Sequence, residues 1–330
     1  MIDVIIPVCD NTNNLMHTLY SINKNPLAHI IIIDNGVNYD YSEVSNFDNS
    51  IEIIYTKSKE NLAFAYETGL EQSKNPYITF INCGDIISNS NVFNHAERLF
   101  NEYKYNVLEY GVYKELENND VLLLKRNNFE LLGKFFKRTF LKLYDIHFAT
   151  ELVQYEDLEW NYKIQLLCNI LNNNSYCVVE DFIVGIHTTK INVMDTQEYF
   201  NDNYIKHYSL AYVSIIQFLD IQYISENLRN SLIIEAFINL YFAYYAILNS
   251  TNDESMSNMK LIEFKEYFYD SLLCKVLDKL DPKMIIDTYV NSFINIAQSE
   301  NPFKYALNQF PAMNPIDFIV AASKVINLSE

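Results

Sequence analysis

In the first half of the chain, polar side chains able to do chemistry gather where short apolar runs stop. Cys9, Asp10 and Asn11 follow Val4 to Val8, Asp34 and Asn35 follow Ile30 to Ile33, and Asn82 to Asp85 follow Tyr77 to Ile81. Asp85 suits a hard cation: Mg2+ and Mn2+ take few protein groups and several phosphate oxygens. A plain turn is the competing reading of Asn82-Cys83-Gly84-Asp85, since Asn, Gly and Asp all favour turns. Asp157, after Tyr155 and Glu156, opens a stretch of helical periodicity. A carboxylate there either caps the helix or takes a proton. The histidines lack metal-ligand spacing, and no Gly-x-Ser-x-Gly elbow or Walker-type loop occurs.

These clusters need a scaffold that brings strand ends together. Val4 to Ile6, Ile30 to Ile33, Ile51 to Tyr55 and Tyr77 to Ile81 read as strands, and Asn11 to Ile22 and Leu62 to Gln72 as helices. That alternation is the grammar of βαβ units on a parallel sheet, where ligands sit beyond the carboxyl ends of the strands. Residues 106–132 read as a hairpin turning at Glu117 to Asp120. Lys134 to Leu143 is a basic amphipathic segment, Asp157 to Leu171 a helix, and Tyr176 to Ile186 strand-like. Beyond residue 195 long helical periodicity takes over. We expect an α/β domain over 1–195, a mostly parallel Rossmann-like sheet flanked by helices, and an all-α region over 196–330.

The chain has 330 residues, 49% of them hydrophobic, with only 6 Gly and 7 Pro, which suits a large core and argues against a turn-rich all-β fold. Its formal net charge of −18 makes nucleic acid an improbable partner, and an anionic nucleotide would need a cation or a local basic cluster. Five scattered cysteines without a CxxC pair fit a reducing compartment. Asp3 and Pro7 do not suit a signal peptide. Ser231 to Leu248 is the best membrane-span candidate, but Glu235 and Asn239 within it favour a buried helix.

Five segments, in order, resemble family 2 glycosyltransferases over roughly residues 2–190. They are Val4 to Asp10 (the family's apolar strand and Pro-Val-Tyr-Asn) and Ile32 to Val37 (Val-Asp-Asp-Gly-Ser). Asn61 to Ala65 with Gly69-Leu70 is similar to Asn-Leu-Gly-Phe-Ala and its helix. Phe80 to Asp85 stands at the metal-binding Asp-x-Asp. Gly133 to Arg138, running on to Tyr155-Glu156-Asp157-Leu158, is similar to a basic segment followed by Glu-Asp-Leu. Cys9, Asn35, Asn82 and Gly84 depart from the usual residues.

The resemblance implies a GT-A fold and an inverting transfer from a nucleotide-sugar, most simply a UDP-sugar, with Mn2+ or Mg2+. The acceptor would be a glycan, lipid-linked glycan or protein hydroxyl, as in polysaccharide biosynthesis. It implies Asp157 as general base with Glu156 as runner-up, and Asp85 as metal ligand. His187 is a candidate third ligand or phosphate contact, with a structural role the commoner reading of a lone His. Pro7, Val8, Asp10, Asp34 and Asn35 would meet the nucleoside, and Asn82, at the position of the family's first Asp, would belong to the same nucleotide-sugar site. Asn61 would meet the nucleoside or cap a helix. Lys134, with Lys137 and Arg138, would face the diphosphate or form a solvated helix face. The tyrosines at 199, 204, 208, 212, 241, 244 and 245 are core packing by default, with sugar stacking or a subunit interface as the sharper option. The helical region would bind acceptor or support a homo-oligomer. A cytoplasmic location is expected, with lipid-linked acceptors leaving a peripheral station at the inner membrane face open. A non-catalytic scaffold that kept the fold is the alternative. A nucleotidyltransferase ranks low, because 10–16 holds no Gly, Lys or Arg.

Overall fold

The computed structural model describes residues 1–9, 14–22, 25–37, 39–47, 50–57, 60–116, 121–124, 130–171, 175–191, 204–222 and 224–250, with short pieces between 259 and 291. The chain divides into two compact units, Met1–Asn192 and Val193–Glu330.

The first unit is built on one mixed sheet. Its parallel half comprises β1 (Ile2–Val8), β2 (Ala28–Asp34), β3 (Ser50–Tyr55) and β4 (Tyr77–Phe80), ordered β3-β2-β1-β4. β1 pairs with β2 from Ile2↔Ala28 to Val8↔Asp34 and with β4 from Ile2↔Tyr77 to Ile5↔Phe80. All seven residues of β1 are buried. A central parallel strand is covered on both faces, so it reads as a continuous apolar run rather than an alternation. Edge strand β3 is only half covered.

Two helices close the crossovers. α1 (Leu15–Ile22) buries Leu15, Thr18, Leu19 and Ile22, one stripe at helical spacing. α2 (Leu62–Gln72) is capped by Asn61, whose side chain accepts from the Phe64 N–H, and it buries a narrow face of small residues with Tyr66 and Leu70. Gly69 is required there: a Cβ would stand 2.3 Å from Ile5 Cγ2, so only glycine lets α2 lie so close to β1.

Beyond β4 the order continues β8-β6-β9-β5, where β5 is Ile86–Ile87, β6 Val107–Leu116, β8 Lys134–Lys137 and β9 Tyr176–Ile191; β7 (Val121–Leu124) pairs with β6. The expected hairpin is this β6–β7 pair, its turn lying outside the described residues. α3 (Val92–Glu102) buries Val92, Phe93, Ala96 and Phe100. The segment Lys134 to Leu143, expected as one basic amphipathic stretch, is instead β8 followed by the short helix α4 (Arg138–Leu143). The reason is burial: Phe135 and Phe136 are inserted between β4 and β6. α5 (Glu156–Ile170) follows, also in the first unit.

At the amino end of β1, away from the polar strand ends, Asp3 is fully buried and organises the sheet floor. Its carboxylate accepts from the Lys74 and Asn75 backbone N–H groups (both 2.8 Å) and from Asn75 Nδ2 (2.6 Å), and pairs with His29 Nδ1 (2.7 Å). A buried charge is tolerable when it is this fully paired.

In the second unit α6 (Tyr204–Ile221) and α7 (Glu226–Ser250) pack together. α6 buries Tyr208, Ala211, Tyr212, Ile215, Ile216 and Leu219, and α7 buries Leu232 to Ile234 and Ala236 to Ile238. Tyr212 donates to Glu235 Oε1 at 3.2 Å, and Arg229 pairs with Asp220 at 2.7 Å. Tyr208 and Tyr212 are therefore core; the side chains at 199, 204, 241, 244 and 245 lie outside those described. Residues 231–248 fall within α7, and among the described residues no helix is long and apolar enough to cross a membrane.

Candidate functional site

The segment joining β4 to β5 crosses the carboxyl edge of the parallel strands, and its turn is locked from three sides. Ile81 N–H bonds the Ile5 carbonyl (3.0 Å), and Asp85 N–H bonds the Asn82 carbonyl (3.0 Å). The Asp85 carboxylate accepts from the Asn82 N–H at 3.2 Å. Gly84, at φ +107°, adopts the left-handed conformation the turn needs and donates to Thr18 Oγ1 at 2.8 Å. Asp85 continues directly into β5, whose Ile86 pairs with Ile186 of β9. In that antiparallel register the backbone of His187 comes opposite Asp85; the His187 side chain lies outside those described.

Tyr66 of α2 connects this turn to the rest of the site. Its hydroxyl bonds Asn82 Oδ1 in a short contact. Its ring stacks on Phe148 (5.1 Å), which stacks on Trp160 of α5 (4.0 Å, 6°). Phe80 and Phe136 close the column edge-on. Such aromatic geometry adds stabilisation beyond area burial, and here it makes one rigid body of α2, β4 and the start of α5. Burial and then the charges of Glu156, Asp157 and Asp85 push the Tyr66 hydroxyl well above its ordinary range. The carboxylates assigned from sequence to the metal and to the base thus both act on one hydroxyl.

α5 starts abruptly. Tyr155 sits in the left-handed region at φ +66°, an uncommon and costly conformation for a non-glycine residue. Glu156 and Asp157 come next, in the first helical turn, where the helix dipole favours negative charge. Asp157 is not the cap residue: Tyr155 holds that position without a side-chain cap bond. Burial, then Asp157 and Glu130, push the Glu156 carboxyl up to about 8. Glu156 is therefore biased toward its protonated form beside Asp157.

This has a consequence for stability. A carboxyl raised in the folded state contributes stability that is complete below the unfolded value near 4.5 and is lost as pH rises through about 8. Wild type should lose several kcal/mol across that window, at about 1.4 kcal/mol per pH unit. Glu156→Gln should show a flatter profile and a higher Tm at pH 8.5. Parallel melting curves for the two proteins from pH 5 to 8.5 would refute it.

The other assigned residues fall into two groups. Pro7 and Val8 end β1 at this edge, with the Val8 carbonyl accepting from the Asn35 N–H at 3.0 Å. Asp34 and Asn35 end β2 close by, but their side chains are buried and hold the chain itself. Asp34 accepts from the N–H groups of Val37 (2.9 Å) and Tyr39 (3.2 Å). The Asn35 amide bridges Glu60 through its carbonyl (2.7 Å) and its N–H (3.1 Å), and donates to Cys9 Sγ at 3.4 Å. They shape the loops 34–39 and 56–60 rather than present free polar atoms. Asn61 caps α2 and donates to the Thr150 carbonyl at 2.5 Å, tying the loop before α5 to α2. Asp10 lies outside the described residues.

The basic cluster does not stay together, and the solvated helix face expected of it is not what forms. Lys137 stands 5.9 Å over the Phe100 ring, and Arg138 donates to the carbonyls of Asn75 and Ser73, all at the far end of β4. Lys134 is at the site end but only 1% exposed, donating to the Glu130 carbonyl at 2.5 Å with Glu109 at 3.9 Å. Sequence reasoning missed Tyr66; its one signal is a large residue amid Ala63, Ala65 and Gly69 on the buried face of α2.

Among the described residues no group of three or more His, Cys, Asp or Glu side chains could hold a metal by itself. The β4–β5 turn brings one carboxylate, Asp85, beside the Asn82 carboxamide. That donor set fits Mg2+ or Mn2+ only when the ligand's own phosphate oxygens complete the shell.

The family model of glycosyl transferase family 2 matches residues 3–152. Among solved structures, S. aureus TarS 1-349 in complex with UDP superposes with a TM-score of 0.64 at 14% identity, covering 92% of this chain and 89% of that one. The same protein in complex with UDP-GlcNAc gives 0.64 at 15% identity, over 90% and 91%. At such identity the likeness speaks for the fold, which is that of GT-A glycosyltransferases. No curated protein matches the chain at a significant level.

Proposed function

We propose, for a chain whose first unit belongs to glycosyl transferase family 2, that it moves a sugar from a UDP-sugar to an acceptor hydroxyl with inversion, with Asp157 as the base. That it is a glycosyltransferase acting on nucleotide-sugars follows from the family and the fold. The uridine donor, the base and the cation are the further reading.

The observation that carries it is the stack Tyr66–Phe148–Trp160, which ties the Asn82–Asp85 turn, through the Tyr66 hydroxyl on Asn82, to the helix that begins with Glu156 and Asp157. Asp157 would accept the proton of the acceptor hydroxyl as its oxygen bonds to the anomeric carbon and the bond to the diphosphate breaks on the opposite face. Glu156, holding its own proton, would keep a second negative charge away from Asp157. Asp85, with His187 as the second candidate, would hold a Mg2+ or Mn2+ ion, which neutralises the leaving diphosphate when bound. Asn82 would stay fixed by Tyr66 at its side. The backbone around Pro7 and Val8, and loops shaped by Asp34 and Asn35, would receive the nucleoside, as would Asp10. Support for uridine comes from the shared fold with a protein solved with UDP and UDP-GlcNAc. A glycan, lipid-linked glycan or protein as acceptor, and acceptor binding or self-association by the second unit, belong to the same reading. So does a cytoplasmic site of action, supported by five scattered cysteines without a CxxC pair.

A melting-temperature panel of UDP-, GDP-, CDP- and dTDP-sugars, each with and without Mn2+, tests it. A UDP-sugar with Mn2+ at a hundredfold excess over Kd should stabilise the protein by about 3 kcal/mol, and the others far less. An equal response to all four bases, or none to UDP-sugars, would reject uridine.

A further inference from the structure

The segment between α4 and α5 is bounded by two left-handed residues, Asp145 at φ +53° and Tyr155 at φ +66°. Between them it is fastened to α2 and to α5. On the α2 side, one oxygen of the Glu67 carboxylate pairs with His147 Nδ1 at 2.6 Å, and the other accepts from the Phe148 N–H at 2.8 Å. On the α5 side, Lys163 donates to the His147 carbonyl at 2.5 Å, and Phe148 stacks on both Tyr66 and Trp160. Of these groups only histidine ordinarily titrates near neutral pH. The second ring nitrogen of His147, Nε2, lies 3.0 Å from Asp145 Oδ1. Both nitrogens thus face carboxylate oxygens, which accept and do not donate when ionised. A neutral imidazole carries a hydrogen on one nitrogen only and would turn the lone pair of the other on an oxygen; the imidazolium satisfies both contacts. Burial works against the charge, but the bonds to Glu67 and Asp145 outweigh it and set the His147 ring above its ordinary range. The ring is 56% exposed, so its proton exchanges with solvent without unfolding, whereas Glu67 is 12% exposed.

We propose that His147 is a pH-sensitive clasp: its charged ring joins Glu67 to Asp145, holds residues 145–150 on α2 and, through Phe148, keeps the first turn of α5 fixed relative to the Asn82–Asp85 turn. Its consequence for turnover rests on the site and base proposed above. The clasp is fully formed below the ordinary histidine range and is released as pH rises through the value in the folded protein. The other charges at hand are Lys163 and Glu159 of α5, which pair with each other at 2.7 Å, and Lys163 meets His147 through its backbone carbonyl. Release would free Phe148 to shift against Tyr66 and Trp160, and the start of α5, where Glu156 and Asp157 stand, would lose its fixed place.

The test is NMR of protein carrying nitrogen-15-labelled histidine, from about pH 5.5 to 8.5, with the His147 signals assigned by their loss in His147→Gln. Both ring nitrogens should be protonated at the acid end, with a midpoint above the ordinary histidine value. Glu67→Gln and Asp145→Asn should each lower that midpoint; Asp145 is 91% exposed, so its substitution carries the test if Glu67→Gln does not fold. Amide-exchange protection of Phe148 and of residues 156–160 should fall severalfold through the same midpoint, a step that disappears in His147→Gln. A midpoint at the ordinary value, or one unmoved by both carboxylate substitutions, would overturn the clasp, as would equal protection in wild type and His147→Gln at every pH. Neither readout uses turnover. For hydrolysis of the UDP-sugar that stabilises most in the donor panel, wild-type kcat should fall severalfold through that midpoint and His147→Gln should lack the step. A clasp that titrates as expected without that fall would overturn its hold on the site. Full kcat in Asp157→Asn would instead defeat the base assignment and leave the clasp standing.

Discussion

Asp157→Asn should lower kcat about 10³-fold while leaving donor KM nearly unchanged. The carboxamide has the size of the carboxylate but cannot take a proton, so on the proposed assignment only the step that removes the acceptor hydrogen is lost. The fold should tolerate it. Tyr155, not Asp157, occupies the cap position of α5, so no cap bond is broken. The Asn161 amide bonds the Asp157 backbone carbonyl at 2.8 Å, a contact the substitution leaves intact. Glu156→Gln should cost far less, because burial and the Asp157 charge already bias the wild-type carboxyl toward its neutral form. Steady-state kinetics with donor and acceptor, beside calorimetric binding of UDP, would separate the two. Equal losses in both variants, or a tenfold change in UDP affinity in Asp157→Asn, would argue for a binding role instead.

Much of the scaffold was legible because its central strands are covered on both faces. β1 and β2 are short β-branched runs with polar stops, and a buried parallel strand produces that text. α2 was readable from Asn61 to Gln72, because a capping side chain and an apolar stripe coincide there. α3 was not. It has a buried stripe, but six of its eleven residues are polar or charged, and Asn91 before it makes no side-chain cap bond. β8 was hidden for another reason. Lys134 and Lys137 advertise solvent, and only pairing with β4 and β6, distant in sequence, sinks Lys134 beside Glu109.

At the site, the order of motifs pointed to Asp85 and Asp157 together, and the stack from Tyr66 to Trp160 links the turn of one to the helix of the other. Residue type could not tell which polar groups face outward. Asp34 and Asn35 look like ligand residues in the text, yet each satisfies its own loop, since a buried carboxylate or amide must find partners wherever the chain offers them.

Asp85→Asn should reduce kcat/KM for the UDP-sugar about 10²- to 10³-fold and abolish the Mn2+-dependent part of its thermal stabilisation. On the proposed reading the residue has two tasks, and this substitution separates them. As a turn residue it accepts from the Asn82 N–H at 3.2 Å, and an amide carbonyl can still do that. As a charge it is the only carboxylate in the Asn82–Asp85 loop, and Asn82 has its side-chain oxygen engaged by the Tyr66 hydroxyl. A neutral amide leaves the departing diphosphate with no protein anion to hold the cation against it. Asp85→Ala should add a loss of stability of about 1 kcal/mol from the orphaned N–H, whereas Asp85→Asn should melt close to wild type. If Asp85→Asn keeps its Mn2+ response and turnover, the cation is held elsewhere and this loop is structural. A loss of Tm equal to that of Asp85→Ala would assign the effect to the turn. Normal melting with a lost Mn2+ response is the result that the single buried carboxylate leads one to expect.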